Sequence, residues 1–478
     1  MPRTALLFAL PALLALAPLT GQAQAPTLEP CTVAGLAGDV RCATVTVPEN
    51  RATPQGRQLA LRVVVARAID STARAADPFL LLAGGPGQAA SAMGGFAAEA
   101  FHGVRQHRDL VFIDARGTGG SAPLACSLVR SPADAAGEFY ALASVRFCRD
   151  SLSGVADLSQ YTTRAIAADL EAVRRAFGWE RINMYGTSYG SRLALEYLRR
   201  HGAHARAVVL KAVAPPTLVA PMNYARDMER ALSLLARDCA ADDACHAIAP
   251  SPLDDLRTVL ARASAAEIRA VVARPGGADT VSLSRDVVAA ALLGVMQNSY
   301  QRARLPALLR QAAAGDERGL AAAVLAYRRG IDTQLFMGMH LSVSCSDDGS
   351  RLDLRRAAGD DSGTFLGDSR VRSLAAACAE WMPNAKRAPA PRPVISDVPV
   401  LLVSGDLDPN TPPRWAEEAL RTLSRGRHVL LPTVSHGWSD VTRCGAKFVA
   451  EFVERASADS LDLSCVQQGK LPPFAPLR

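Results

Sequence analysis

The stretch Gly186-Thr187-Ser188-Tyr189-Gly190 places a serine between glycines two residues to either side. A serine hydroxyl is a weak nucleophile and needs a base beside it and a turn that presents it to substrate. A sharp strand-to-helix turn does this, and its crowded backbone tolerates only small residues two before and two after the serine. A strand-like run, Arg181 to Tyr185, precedes the motif, and a helical pattern from Ser191 to Arg200, closed by Gly202, follows it. The first turn of such a helix adds N–H groups that favour negative charge. Ser188 is therefore the expected nucleophile. The expected general base is His436, in Ser435-His436-Gly437, on a loop after the strand-like run Arg427 to Leu431; the other histidines have no comparable setting. The acid is expected in Gly405-Asp406-Leu407-Asp408-Pro409-Asn410-Thr411-Pro412, after the run Val398 to Val403. A carboxylate there orients the imidazole and stabilises its cation. Asp408 is preferred and Asp406 is the rival; either also fits a turn or cap.

A second glycine-rich turn, Gly84-Gly85-Pro86-Gly87, follows the run Phe79 to Ala83. A loop in this place donates one N–H of an oxyanion hole, so Gly85 is expected to act with the Tyr189 N–H; an ordinary Gly-Pro turn is the plainer alternative. Asp114-Ala115-Arg116-Gly117-Thr118-Gly119-Gly120-Ser121 contains G-x-G but lacks the lysine of a phosphate loop, and no G-x-G-x-x-G exists. It reads as a tight strand–loop connection near the site. No C-x-x-C pair suggests zinc. The chemistry implied needs neither metal nor cofactor.

The elements that must position these residues are legible around them. Short apolar runs at 58–66, 79–83, 110–113, 181–185 and 207–210 end in Gly, Asp or Pro, as buried parallel strands do. Between them, 163–177 carries Ile166, Leu170, Val173 and Phe177 at helical spacing before Gly178. Strands alternating with helices imply a mostly parallel α/β sheet flanked by helices. From about Pro215 to Pro393 helical signals dominate, at 227–237, 253–265, 285–297 and 319–328. Strands resume at 398–403 and 427–431, before a last helix near 441–456. The expected organisation is a leader at 1–25, a first sheet part at 26–214, a large helical cap at 215–393 and a second sheet part at 394–478. The order Ser188, Asp408, His436 is that of the α/β-hydrolase fold, with the cap falling between nucleophile and acid.

The chain has 478 residues, 49% apolar and 21% charged, enough for one large domain with an insertion. Its net charge of +7 is spread without any basic run, which argues against nucleic-acid binding. Arg3, the apolar stretch Ala5 to Leu19 and the small residues Ala23 and Ala25 make a cleavable export signal, too short to span a membrane. The cut falls after Ala25 or, because Pro26 is awkward there, after Ala23. A periplasmic or secreted protein is expected, without stable membrane insertion. The 10 cysteines fall in neighbouring couples, 31 with 42, 126 with 148, 239 with 245, 345 with 378 and 444 with 465. In an oxidising compartment these form five local disulfides.

Taken together, Gly84 to Gly87, Asp114 to Ser121, Tyr185 to Tyr197, Val403 to Pro412 and Ser435 to Gly437 resemble the proline iminopeptidase and tripeptidyl aminopeptidase group of α/β-hydrolases. The part from about Ala376 to Cys465 looks like the C-terminal module of the tripeptidyl aminopeptidases. The resemblance implies hydrolysis of peptide bonds near a free N-terminus, with Asp408 as the triad acid. It also implies an acidic cap residue for the substrate ammonium, for which Asp347, Asp348 and Glu380 are the candidates. Two departures stand out: Lys211-Ala212 replaces the usual Asp-Gly, and Asp347 stands where the group carries Glu. An exported carboxylesterase or lipase with the same triad, and a non-catalytic binding protein on this scaffold, are the competing readings.

Overall fold

Side chains that alternate across a strand point to opposite faces of a sheet, so a doubly covered sheet needs apolar residues at every position. The central strands have them. The computed structural model describes residues 25–274, 276–383, 388, 390, 392–437 and 442–474; the leader expected at 1–25 lies almost wholly outside the described residues. Its strands are β1 (Glu29–Pro30), β2 (Val40–Pro48), β3 (Gln58–Ala66), β4 (Phe79–Leu82), β5 (Leu110–Ile113), β6 (Ile182–Thr187), β7 (Ala205–Lys211), β8 (Ile268–Arg274), β9 (Gly277–Leu283), β10 (Val400–Gly405) and β11 (Gly426–Leu431). Among the described residues, nine of these form one sheet in the order β1-β2-β3-β5-β4-β6-β7-β10-β11. From β5 to β11 all pairs are parallel, while β1, β2 and β3 add antiparallel strands to the β5 edge.

Each face of the sheet carries its own core. Leu80, Leu82, Val111, Met184, Val208, Leu210 and Leu402 pack under the helices Thr163–Ala176 and Tyr189–His201. The alternate residues Phe79, Leu81, Phe112, Val209, Leu401 and Val403 face Phe448 and Phe452 of the helix Thr442–Arg455. Leu80 and Leu81 are fully buried, and each contributes roughly 1.5–3 kcal/mol of apolar transfer energy. The loop at Asp114 is tied into this frame: Arg116, fully buried, bonds Asp169 at 2.6 and 2.8 Å, and Asp114 accepts from the Ser91 and Gly120 N–H groups.

The stretch 215–393 is not one packing unit. The helices Tyr224–Ala240, Pro252–Ala265, Arg285–Val295, Ser299–Ala313 and Arg318–Gln334 bury a separate core with the β8–β9 hairpin, joined by Ala135 and Ala136 from the short helix Pro132–Ala136. The helices Met337–Asp347 and Ser369–Trp381 instead turn Met337, Met339, Leu341, Leu374 and Trp381 into the core on the sheet. Apolar side chains on those two helices thus bind the cap to the sheet domain. All five expected disulfides are present, and Cys345–Cys378 links these same two helices.

Candidate active site

β6 runs into the helix Tyr189–His201 with Ser188 as the turn residue, at φ 54° and ψ −124°. A non-glycine residue at positive φ is strained and needs its surroundings to hold it. The Ser188 N–H donates to the Lys211 carbonyl at 3.0 Å, and the Ser188 carbonyl accepts from the Ser191 N–H at 2.9 Å and hydroxyl at 2.6 Å. A Cβ on Gly186 would stand 2.3 Å from the Gly190 carbonyl oxygen, and one on Gly190 would stand 2.1 Å from the Leu82 carbonyl oxygen. The glycines are thus required by backbone contact at both ends of the turn.

Asp408 lies just beyond β10 and is fully buried. Its Oδ1 accepts from the N–H groups of Asn410 (2.8 Å) and Thr411 (2.9 Å); its Oδ2 accepts from the Thr411 hydroxyl and from His436 Nδ1, both at 2.8 Å. Burial alone would raise its pKa, but His436, Lys211 and the Thr411 N–H outweigh it and hold the carboxyl below its ordinary range. An ionised carboxylate only accepts, so His436 carries its proton on Nδ1 and leaves Nε2 free as a base. Asp406 goes elsewhere: its carboxylate pairs with Arg230 of the helix Tyr224–Ala240.

Behind the histidine loop sits Lys211, at the end of β7 and fully buried. Its ammonium donates to three successive carbonyls, of Ser435 at 3.3 Å, of His436, and of Gly437 at 3.1 Å. Burial lowers its pKa to about 8 against the pull of Asp408. The Gly437 N–H donates to the Gln297 carbonyl at 3.2 Å, so the cap also holds this loop. The departure at Lys211 is therefore a support for His436.

Ser188, His436, Gly85 and Tyr189 line one cavity of about 300 Å³. Gly85 has φ 107°, and its turn is fixed by His340, whose Nδ1 bonds the Pro86 carbonyl at 3.0 Å while Nε2 bonds the Tyr140 hydroxyl at 2.7 Å. Burial pushes the His340 pKa down to about 4, so it stays neutral, with Nδ1–H donating and Nε2 accepting. The Tyr189 N–H belongs to a first helical turn and has no intrahelical acceptor.

The three acidic candidates separate. Asp348 lines the cavity, with Oδ2 bound to Arg192 at 2.8 Å and a buried Oδ1 that ion-pairs with Arg351 at 3.7 Å. Asp347 does not line it. It accepts from the Thr163 hydroxyl, which is itself 2.8 Å from the Tyr189 hydroxyl, and burial with help from Asp348 raises its pKa to about 6. Glu380 is also outside the cavity, paired with Arg146 at 2.9 Å and Arg149 at 3.7 Å on the helix Leu142–Ser153. A carboxylate engaged by two arginines away from the cavity does not meet a substrate in it. Lys211, His340 and Arg370, another residue of the cavity wall, carry no motif that marks them in sequence.

Residues 77–272 match the α/β-hydrolase fold family, and residues 363–465 match the TAP-like protein family. The chain has the α/β-hydrolase fold. It is 29% identical over 200 residues to a protein named tripeptidyl aminopeptidase from Streptomyces lividans, covering 37% of this chain and 36% of that protein. It is 29% identical over 232 residues to carboxylesterase B of Mycobacterium tuberculosis, covering 43% of this chain and 42% of the relative. It is 26% identical over 231 residues to serine protease Hip1 of the same species, covering 44% and 43%. The matched part of the hydrolase thus spans less than half the length of these relatives.

Proposed function

We propose that this hydrolase is an exported serine peptidase that cuts peptide bonds near a free N-terminus, through an acyl-enzyme on Ser188. The observation that carries the reading is the Asp408–His436 hydrogen bond, with His436 and Ser188 lining one cavity. His436 takes the Ser188 proton as the hydroxyl oxygen attacks the scissile carbonyl, and Asp408 stabilises the resulting imidazolium. The N–H groups of Gly85 and Tyr189 receive the oxyanion. His436 then protonates the leaving amine, and water repeats the sequence to release the acyl group. Asp348, the one acidic candidate that lines the cavity, is the acceptor for the substrate ammonium. Tripeptidyl aminopeptidase and serine protease relatives support the peptide substrate. Five disulfides support export to an oxidising compartment.

A second reading, a carboxylesterase, is favoured by the relative of that name and by the prior pairing of Asp348 with Arg192. Paired p-nitroanilides of Ala, Pro and Ala-Pro-Ala, each with a free or acetylated N-terminus, beside p-nitrophenyl esters, test both. Turnover that requires the free amine is expected. Turnover of the esters alone overturns the peptidase. Ser188→Ala is expected to abolish turnover and fluorophosphonate labelling while the far-UV circular dichroism is unchanged; retained activity rejects the nucleophile.

A further inference from the structure

Arg370 lies on the helix Ser369–Trp381 and forms part of the wall of the cavity that holds Ser188. Its guanidinium carbon sits 3.7 Å from the centre of the Phe139 ring and 5.8 Å from that of Tyr140, and both rings line the same cavity. Ring faces hold a guanidinium by cation–π attraction while leaving its N–H edges available. Those edges are unused. Among the described residues, the buried Nε and Nη1 of Arg370 have no hydrogen-bond partner. Asp368, two residues away, pairs with Arg372.

The other charged groups of the cavity have charged or carbonyl partners, although the Arg192 Nε is unpartnered among the described residues. Arg192 bonds Asp348 and the Leu218 carbonyl. His340 donates to Pro86 and accepts from Tyr140, as a neutral ring. The cavity therefore offers one ion pair, Asp348 with Arg192 and Arg351, and one guanidinium, that of Arg370, with no carboxylate partner among the described residues. Buried donors left without acceptors are costly. A carboxylate removes that cost best, because its two oxygens match the guanidinium fork.

We propose that Arg370 binds a carboxylate in the acyl portion of the substrate, so that the enzyme prefers peptides with Asp or Glu in the segment N-terminal to the scissile bond. The peptide in this statement rests on the peptidase reading; the carboxylate does not. Arg370 also borders a second cleft with Arg328 and Arg372. Arg328 donates through Nη2 to the carbonyls of Glu138 and Phe139, leaving only its Nε unpartnered, and Arg372 pairs with Asp286 and Asp368; neither lines the cavity that holds Ser188.

The test uses tripeptidyl p-nitroanilides of Ala in which Glu or its neutral isostere Gln occupies each of the three positions in turn. Wild-type kcat/KM is expected to favour Glu over Gln at least tenfold at one position. In Arg370→Gln the preference should fall to within twofold, with far-UV circular dichroism and the urea midpoint reporting an intact fold. Arg370→Lys should retain part of the preference, and Arg372→Gln all of it. Binding of the matching free tripeptides to Ser188→Ala, measured by calorimetry with and without Arg370→Gln, gives a readout independent of turnover. Turnover of all peptides without discrimination between Glu and Gln leaves the peptidase standing and overturns the role of Arg370. Preferential binding of the Glu peptide without cleavage does the reverse. Equal binding of Glu and Gln peptides, or a preference that survives Arg370→Gln, overturns the inference.

Discussion

At the scale of single residues, Lys211 links the sheet to the chemistry. Its ammonium holds the carbonyls on either side of His436, and its pKa near 8 places its proton loss inside the working range of a hydrolase. Below pH 8 the charged form has three donors for three carbonyls; above it one donor is lost and a lone pair faces a carbonyl oxygen. Hydrogen bonds from a charged group contribute about 1.5–3 kcal/mol each, so the loop loosens as pH rises. An alkaline fall in kcat with a midpoint near pH 8 is expected. Lys211→Met should lower kcat/KM roughly ten- to a hundredfold, on the scale of one such bond, and remove that limb from the pH profile. Stability moves the other way. The folded pKa lies below the ordinary 10.5, so between pH 8 and 10.5 the unfolded chain binds more protons. This group's contribution to stability therefore increases through that window and is lost as pH falls through 8. Urea midpoints of wild type and Lys211→Met at pH 7 and 10 separate the two effects. Sequence pointed to Lys211 only as a departure, because a buried lysine is recognised by what surrounds it and its acceptors are 224 to 226 residues away.

At the scale of elements, the site depends on how closely β4 and β6 meet the helix after Ser188. Gly190→Ala sets a Cβ 2.1 Å from the Leu82 carbonyl oxygen and 2.8 Å from that of Ala83. Both are backbone atoms of the strand that leads into the Gly85 turn, so neither yields without moving it. We expect a stability loss of about 3 kcal/mol, the upper end for overpacking, seen as a lower urea midpoint, with activity lost alongside. The Gly85 turn has its own support in His340. His340→Ala should lower kcat about tenfold, a little under the cost of losing an oxyanion donor outright, with KM little changed; an equal rise in KM would instead make His340 a substrate contact. These elements were the most legible part of the sequence. The runs at 58–66 and 110–113 match β3 and β5 residue for residue, and the turns carrying Ser188, Asp408 and His436 follow the expected strands, because apolar runs that end in small or acidic residues are local signals. β2 was missed although Val40, Ala43, Val45 and Val47 alternate with more exposed neighbours. The hairpin of β8 and β9 was hidden among helices, because the exposed Val271 beside Arg269 blurs the two-residue alternation.

At the scale of the whole molecule, the cap is fastened to the sheet domain at two kinds of place. Polar ties run from Arg230 to Asp406 and from Gln297 to Gly437. Apolar packing runs through the helices Met337–Asp347, followed directly by Asp348, and Ser369–Trp381, which carries Arg370. Sequence gave both helices the same standing as the rest of the insertion, since which core an apolar face joins is decided by tertiary contact. The disulfide Cys345–Cys378 fixes one to the other across a separation of 33 residues. A cross-link closing a loop of that length stabilises by about 4 kcal/mol in the chain-entropy account. Replacing both cysteines by serine should therefore lower the unfolding free energy read from urea denaturation by an amount near that figure. The kinetic consequence discriminates between roles for the two helices. If they position Asp348 and Arg370 for substrate, the double variant raises KM for charged peptides while fluorophosphonate labelling of Ser188 proceeds at the wild-type rate, because the turn after β6 and the Lys211 contacts belong to the sheet domain. If labelling slows in step with KM, the cap instead shapes the nucleophile itself, and the division between a rigid catalytic sheet and a substrate-reading cap fails.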